Sequence, residues 1–174
     1  MVRLKLGMVG GGQGAFIGGV HRMAARLDGC YELVAGAFAS DSLRAHVSAA
    51  ELGVSVDRSY DNYSDMAKAE SARPDGIDVV SIVTPNHLHG PIAEAFLAQN
   101  IHVICDKPMT ATLAQAESLM AAAAVSDASF FLTHNYTAYP MIRQAQQMVT
   151  EGALGDIQIV EANYLQDWLS DVPK

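Results

Sequence analysis

Leu4-Lys5-Leu6-Gly7-Met8-Val9-Gly10-Gly11-Gly12-Gln13-Gly14-Ala15-Phe16-Ile17 is the stretch that decides the fold. Leu4 to Val9 is short and apolar, three glycines cut it off, and Ile17, Val20 and Ala24 then repeat at helical spacing. The reading is strand, glycine loop, helix. Glycines in that place permit a tight turn and let the backbone approach a diphosphate, which the free N–H groups and dipole of the helix start then hold. Gly10, Gly12 and Ala15 fit the G-x-G-x-x-G/A spacing, with Gln13, Gly14 and Phe16 as further loop contacts. Gly12, Gly14 and Gly18 give a competing register with a longer loop. A purely structural turn is the alternative reading.

Outward from the loop, strand and helix keep alternating. Tyr31 to Phe38 is apolar on both faces, as a strand covered by helices on each side is. A helix from Asp41 to Leu52 stops at Gly53, and a shorter one over Asp61 to Glu70 precedes the breaker Arg73-Pro74-Asp75-Gly76. Ile77 to Val83 is β-branched and reads as a strand. Pro91 suits a first helical turn, with Ile92, Ala95 and Phe96 on one face, and Asn100 is a left-handed stop before the strand Ile101 to Cys105. Thr112 and Gln115 form a capping-box signature for a helix ending near Val125, and Ser129 to Thr133 resembles the next strand. The class is α/β, a Rossmann-type doubly wound parallel sheet with helices on both faces.

After Pro140 a helix runs to Glu151 and stops at Gly152, and Asp156 to Tyr164 reads as a strand. The expected division is a dinucleotide-binding domain over 1–136, then, over 137–174, a linker helix and the first strand of a second α+β domain. Such a strand would lack its sheet and could pair with another copy, giving a homo-oligomer.

The 174 residues are half hydrophobic and carry a formal net charge of −8. That charge argues against nucleic acid or an anionic membrane surface as the main partner and for a small soluble ligand. Cys30 and Cys105 stand far apart without metal-ligand spacing and read as reduced and buried. Arg3 and Lys5 are followed by glycines rather than a cleavage site, and no run nears the ~20 apolar residues of a membrane helix. The expected location is cytoplasmic.

In an open parallel sheet, ligands gather outside the carboxyl ends of the strands, so four further stretches matter. At the end of the second strand, Ser40 and Arg44 could take the extra phosphate of NADP. Asp41 would repel it and suit the ribose of NAD, or would serve only as an N-cap. The cofactor is thus NAD or NADP. The third strand leads into Thr84-Pro85-Asn86-His87-Leu88-His89, whose two histidines lack the accompanying carboxylate or cysteine of a metal site; no metal is expected. The fourth leads into Cys105-Asp106-Lys107-Pro108. A lysine there can hydrogen-bond a hydroxyl and, where burial disfavours its charge, exchange protons with it. The last leads into Thr133-His134-Asn135-Tyr136-Thr137, polar and aromatic groups that could line a nicotinamide or sugar, or merely connect elements.

Taken together, the glycine loop, Thr84-Pro85-Asn86 with His89, and Asp106-Lys107-Pro108 resemble the N-terminal domain of the Gfo/Idh/MocA oxidoreductases, the glucose-fructose oxidoreductase and inositol dehydrogenase family. The resemblance implies an NAD(P)-dependent dehydrogenase of sugars or polyols. It matches Lys107 to the family's catalytic lysine, with Asp106 for the usual glutamate. It also implies that Thr84, Pro85, Asn86 and His89 contact the cofactor and that Asn135 approaches the nicotinamide ribose or carboxamide. Where the family often has arginine beside that asparagine, this chain has Tyr136 and Thr137. Family members continue into a second domain that supplies an aspartate and a histidine, so a truncated product or fragment is expected, binding cofactor better than it turns over substrate. The rivals are a non-catalytic dinucleotide sensor and a reductase of another carbonyl on the same fold.

Overall fold

The computed structural model describes residues 2–165. Five strands, β1 (Leu4–Gly10), β2 (Tyr31–Ala37), β3 (Val79–Val83), β4 (His102–Cys105) and β5 (Phe130–Leu132), form one parallel sheet in the order β2-β1-β3-β4-β5. The helices are α1 (Phe16–Leu27), α2 (Ser42–Glu51), α3 (Tyr63–Ser71), α4 (His89–Leu97), α5 (Leu113–Val125) and α6 (Pro140–Thr150). This is the doubly wound arrangement read from the sequence. The chain winds from β1 to β2 in one direction and from β3 to β5 in the other, which opens a crevice at the carboxyl ends of β1 and β3.

Strand residues alternate between two apolar layers. Met8 and Val83, with Phe38 just past β2, pack with Ala49, Val54 and Ile17 beneath α1 and α2. Val9, Ala37, Val80, Ile82, Val103 and Cys105 pack with Met66, Ile92, Phe96 and Leu119 beneath α3, α4 and α5. Each large side chain fully removed from water there contributes about 1.5–3 kcal/mol. One polar cluster interrupts the layers: Arg58 and Glu70 form a buried ion pair, and the Glu70 carboxylate also accepts from Tyr60 Oη at 2.8 Å and Ile77 N at 3.1 Å.

The local signals for helix ends are realised. Asp41, Asn62 and Thr112 each accept a hydrogen bond from a first-turn amide, those of Arg44, Asp65 and Gln115. Asn100 takes a left-handed φ of 56° before β4.

Packing divides the chain into units 1–134 and 135–174. In the second, the turn Asn135–Ala138 leads into α6, Tyr136 and Tyr139 meet edge-on with ring centroids 5.4 Å apart, and the Tyr136 and Tyr164 hydroxyls lie 2.7 Å apart. The strand expected over Asp156 to Tyr164 does not form among the described residues. A strand is defined by a ladder with a neighbour, and no described segment offers one. Residues 166–174 lie outside the described range.

Candidate functional site

β1 ends in two left-handed glycines, Gly10 (φ 81°) and Gly11 (φ 73°), and Gly14 (φ 76°) turns the loop again before Ala15 opens α1. The loop is clasped from below. Gly12 N donates to Phe38 O at 3.2 Å, Gln13 N to Ser48 Oγ at 3.0 Å, and Arg22 Nη1 donates to Gly11 O at 2.7 Å. A side chain at Gly12 would stand 2.7 Å from Ser48 Oγ, whereas at Gly14 it would meet only open space. A cavity of about 300 Å³ lies along Gly11 to Phe16 with Arg22, Ser48 and Glu51.

The competing registers resolve into a hybrid. Ala15 is the exposed N-cap of α1 and contributes no side-chain cap. The helix instead touches the loop at Gly18, where an added Cβ would collide with Gly11. The tight turn falls to Gly10, the close approach to Gly12, and the helix contact to Gly18. The first amides of α1, unlike those of α2, α3 and α5, are therefore left without a side-chain acceptor. Phe16 is exposed beside them.

Register carries the other strand ends to the same edge. Gly10 pairs with Val83, Ile82 with Cys105, and Cys105 with Leu132, so Gly11, Thr84, Asp106 and Thr133 follow one another along it. Lys107 stands two strands from the glycine loop, roughly 10 Å. Lys107 is exposed and has no hydrogen-bond or ion-pair partner among the described residues, so the condition of burial under which it would exchange protons is not met there. Pro85 and Asn86 are exposed, and Thr84 Oγ1 is buried without a partner.

His89 is buried between two of these loops. Only 1% exposed, its ring lies with Nδ1 2.6 Å from Pro108 O and Nε2 2.9 Å from Thr84 O. Each ring nitrogen lies within hydrogen-bond distance of a backbone carbonyl, so the ring sits between the two loops. His87 is exposed in the turn Asn86–Leu88.

At the end of β2, Ser40 and Asp41 are exposed, and Arg44 turns one guanidinium nitrogen to Gln13 O at 3.4 Å. Asp61 adds a second carboxylate nearby, accepting from Ser42 Oγ at 2.6 Å. Asn135 opens the second unit. Cys105 is buried, which pushes its thiol up to about 12; Cys30 is only half-buried, against expectation, because it precedes β2 at the sheet's amino edge.

Sequence reasoning missed His21, Arg22, Ser48 and Ser81. It assigned the buried stripe of α1 to Ile17, Val20 and Ala24, yet Val20 and Ala24 are exposed and Gly18, His21, Arg22 and Ala25 turn inward. The available signal was Ser81, one polar residue inside Val79-Val80-Ser81-Ile82-Val83. Ser81 Oγ lies 2.8 Å from His21 Nδ1, His21 Nε2 lies 3.6 Å from Asp106 Oδ1, and Thr133 Oγ1 donates to Asp106 Oδ1 at 2.9 Å. Burial holds the His21 imidazole below its ordinary value, while Asp106 opposes the shift.

These features fit a dinucleotide: open amides where a diphosphate would lie, glycine where side chains would obstruct it, and an orphan hydroxyl at the next strand end. Comparison with known proteins agrees. The model of an oxidoreductase family with an NAD-binding Rossmann fold matches residues 4–134. The oxidoreductase YfiI of Bacillus subtilis (strain 168) is 38% identical over 162 residues, covering 92% of this chain and 41% of its own. An oxidoreductase structure from Sinorhizobium meliloti is 55% identical with a TM-score of 0.84, covering 89% of this chain and 43% of its own. An inositol dehydrogenase homolog from Azotobacter vinelandii, solved with NADH and myo-inositol, is 40% identical with a TM-score of 0.84, covering 90% and 41%. The chain thus spans less than half the length of the relatives it matches. No helix among the described residues is long and apolar enough to cross a membrane.

Proposed function

The chain belongs to the Gfo/Idh/MocA oxidoreductase family, and from that premise we propose that it holds NAD at the carboxyl edge of its sheet for dehydrogenation of a sugar or polyol hydroxyl. The observation that carries this reading is the start of α1, without a side-chain cap, behind the Gly10–Ala15 turn and on the same edge as Lys107, which has no partner among the described residues.

In the proposed division of work, the amides of Gly14, Phe16 and Ile17 bind the diphosphate, with Arg22 holding the loop beneath it. Thr84, Pro85 and Asn86 border the path from the loop toward Lys107, and His89 keeps that path fixed by bracing Thr84 to Pro108. The nicotinamide, when bound, supplies the acceptor for the hydride. Lys107 donates a hydrogen bond to the substrate hydroxyl and orients it, which limits the encounter to one geometry. The sugar or polyol assignment rests on Lys107 and on the myo-inositol bound by the Azotobacter vinelandii homolog.

NAD is favoured over NADP because Asp41 and Asp61 place two carboxylates at the end of β2, while Arg44 is engaged by Gln13 O. An added phosphate meets negative charge there. Titration with NADH and with NADPH, followed by nicotinamide fluorescence, tests the reading. NADH should bind about tenfold more tightly, the equivalent of ~1.4 kcal/mol. No response to either nucleotide would overturn the cofactor assignment, and tighter NADPH binding would overturn the choice between them.

A further inference from the structure

Lys107 has no partner of its own among the described residues, so its position is set by the backbone next to it. That backbone is tied at Asp106: its N–H donates to Ile82 O at 2.9 Å, and its carboxylate accepts from Thr133 Oγ1. The second group facing the carboxylate is His21, with side-chain exposures of 11% for the histidine and 17% for the aspartate.

The electrostatics of this row, with His21 Nε2 3.6 Å from Asp106 Oδ1, select one arrangement. A carboxylate only accepts, so Nε2 must carry its proton when turned to Asp106; a lone pair there would face negative charge. Nδ1 of the neutral ring is then an acceptor, and Ser81 Oγ, 2.8 Å away, is the hydroxyl able to donate to it. The opposite tautomer satisfies Ser81 but sets Nε2 against the carboxylate. Ser81 is only 2% exposed, so it is no nucleophile; its place in an otherwise aliphatic strand is accounted for by the histidine. Arg22, next to His21 in sequence, turns its guanidinium to Gly11 O.

We propose that His21 is a positioning residue: in the tautomer that Asp106 selects and Ser81 accommodates, it turns Nε2–H to Asp106 and thereby steadies the strand end that carries Lys107. The role given to Lys107 rests on the proposed function, but the tautomer does not, and it is read without nucleotide.

The test uses the intact chain labelled with ¹⁵N-histidine. Long-range proton–nitrogen spectra near neutral pH should show His21 with Nε2 protonated and Nδ1 unprotonated. Asp106→Asn should convert it to a mixture of tautomers, whereas Ser81→Ala, which leaves the carboxylate in place, should not. In parallel, acylation of Lys107, measured by mass spectrometry against Lys68 on α3, should change about fivefold in His21→Ala and Asp106→Asn and return toward wild type in His21→Gln, whose amide can still donate. A protonated Nδ1, or a tautomer indifferent to Asp106→Asn, overturns the proposal. So does unchanged Lys107 reactivity in variants whose circular dichroism shows a native fold. If His21→Ala does not fold, Asp106→Asn carries both readouts.

Discussion

Gly18 lies so close to Gly11 that a Cβ on Gly18 would collide with the Gly11 α-carbon and stand 2.8 Å from its carbonyl oxygen. Helix α1 can therefore seat against the turn only where neither residue has a side chain. Gly18→Ala should lower stability by about 1–3 kcal/mol, the usual cost of overpacking. Gly19→Ala, with nothing within 4 Å, should leave stability unchanged or raise it. Thermal melts of the two variants check the contrast, and equal effects would contradict the contact.

Gly14 separates binding from folding. Its φ of 76° disfavours a side chain, but none would collide with the protein. Gly14→Ala should cost about 1–2 kcal/mol of stability for the left-handed backbone. It should weaken NADH by more than that strain explains, because the added methyl projects into the space assigned to the diphosphate. Paired melting and fluorescence titration read the two effects, and retention of wild-type affinity would place the nucleotide elsewhere.

What could be read in advance depended on how local its cause was. Asp41, Asn62, Asn100 and Thr112 mark helix ends because a side chain or a φ preference acts within three residues of itself. The inward face of α1 is different. His21 turns in because Ser81, sixty residues away, and Asp106 wait on the sheet, and no periodicity in Phe16–Leu27 contains that information. Spacing leaves the third glycine position open between Ala15 and Gly18, and only the contact of Gly18 with Gly11, made across the loop, distinguishes them. A strand over Asp156 to Tyr164 needed a partner that local pattern cannot supply.

The Arg58–Glu70 pair anchors α3 beneath the sheet. Glu70 is 1% exposed and serves Arg58, Tyr60 and the Ile77 amide together. Glu70→Ala leaves a buried guanidinium without its counter-ion and should cost about 3–5 kcal/mol. Chemical denaturation measures it; a loss within the range of an exposed ion pair would show that water relaxes into the site.

Acid sensitivity should trace partly to His21. Burial holds its folded-state value below the ordinary 6.5, so between that depressed value and 6.5 the unfolded chain binds more protons than the folded one. Stability from this group is full above 6.5 and is lost as pH falls through that window. His21→Gln should flatten this part of the profile relative to wild type. Melts at stepped pH decide it, and an unchanged slope would mean that His21 titrates alike in both states.

The central claim is that a dinucleotide lies across the start of α1. Backbone amide spectra recorded while NADH is added to the intact chain test it residue by residue. The account requires saturable shifts that are largest from Gly12 to Ile17, with a second group at Thr84 and Lys107. Saturable shifts centred on any other part of the fold, with the Gly12 to Ile17 amides unmoved, would contradict it.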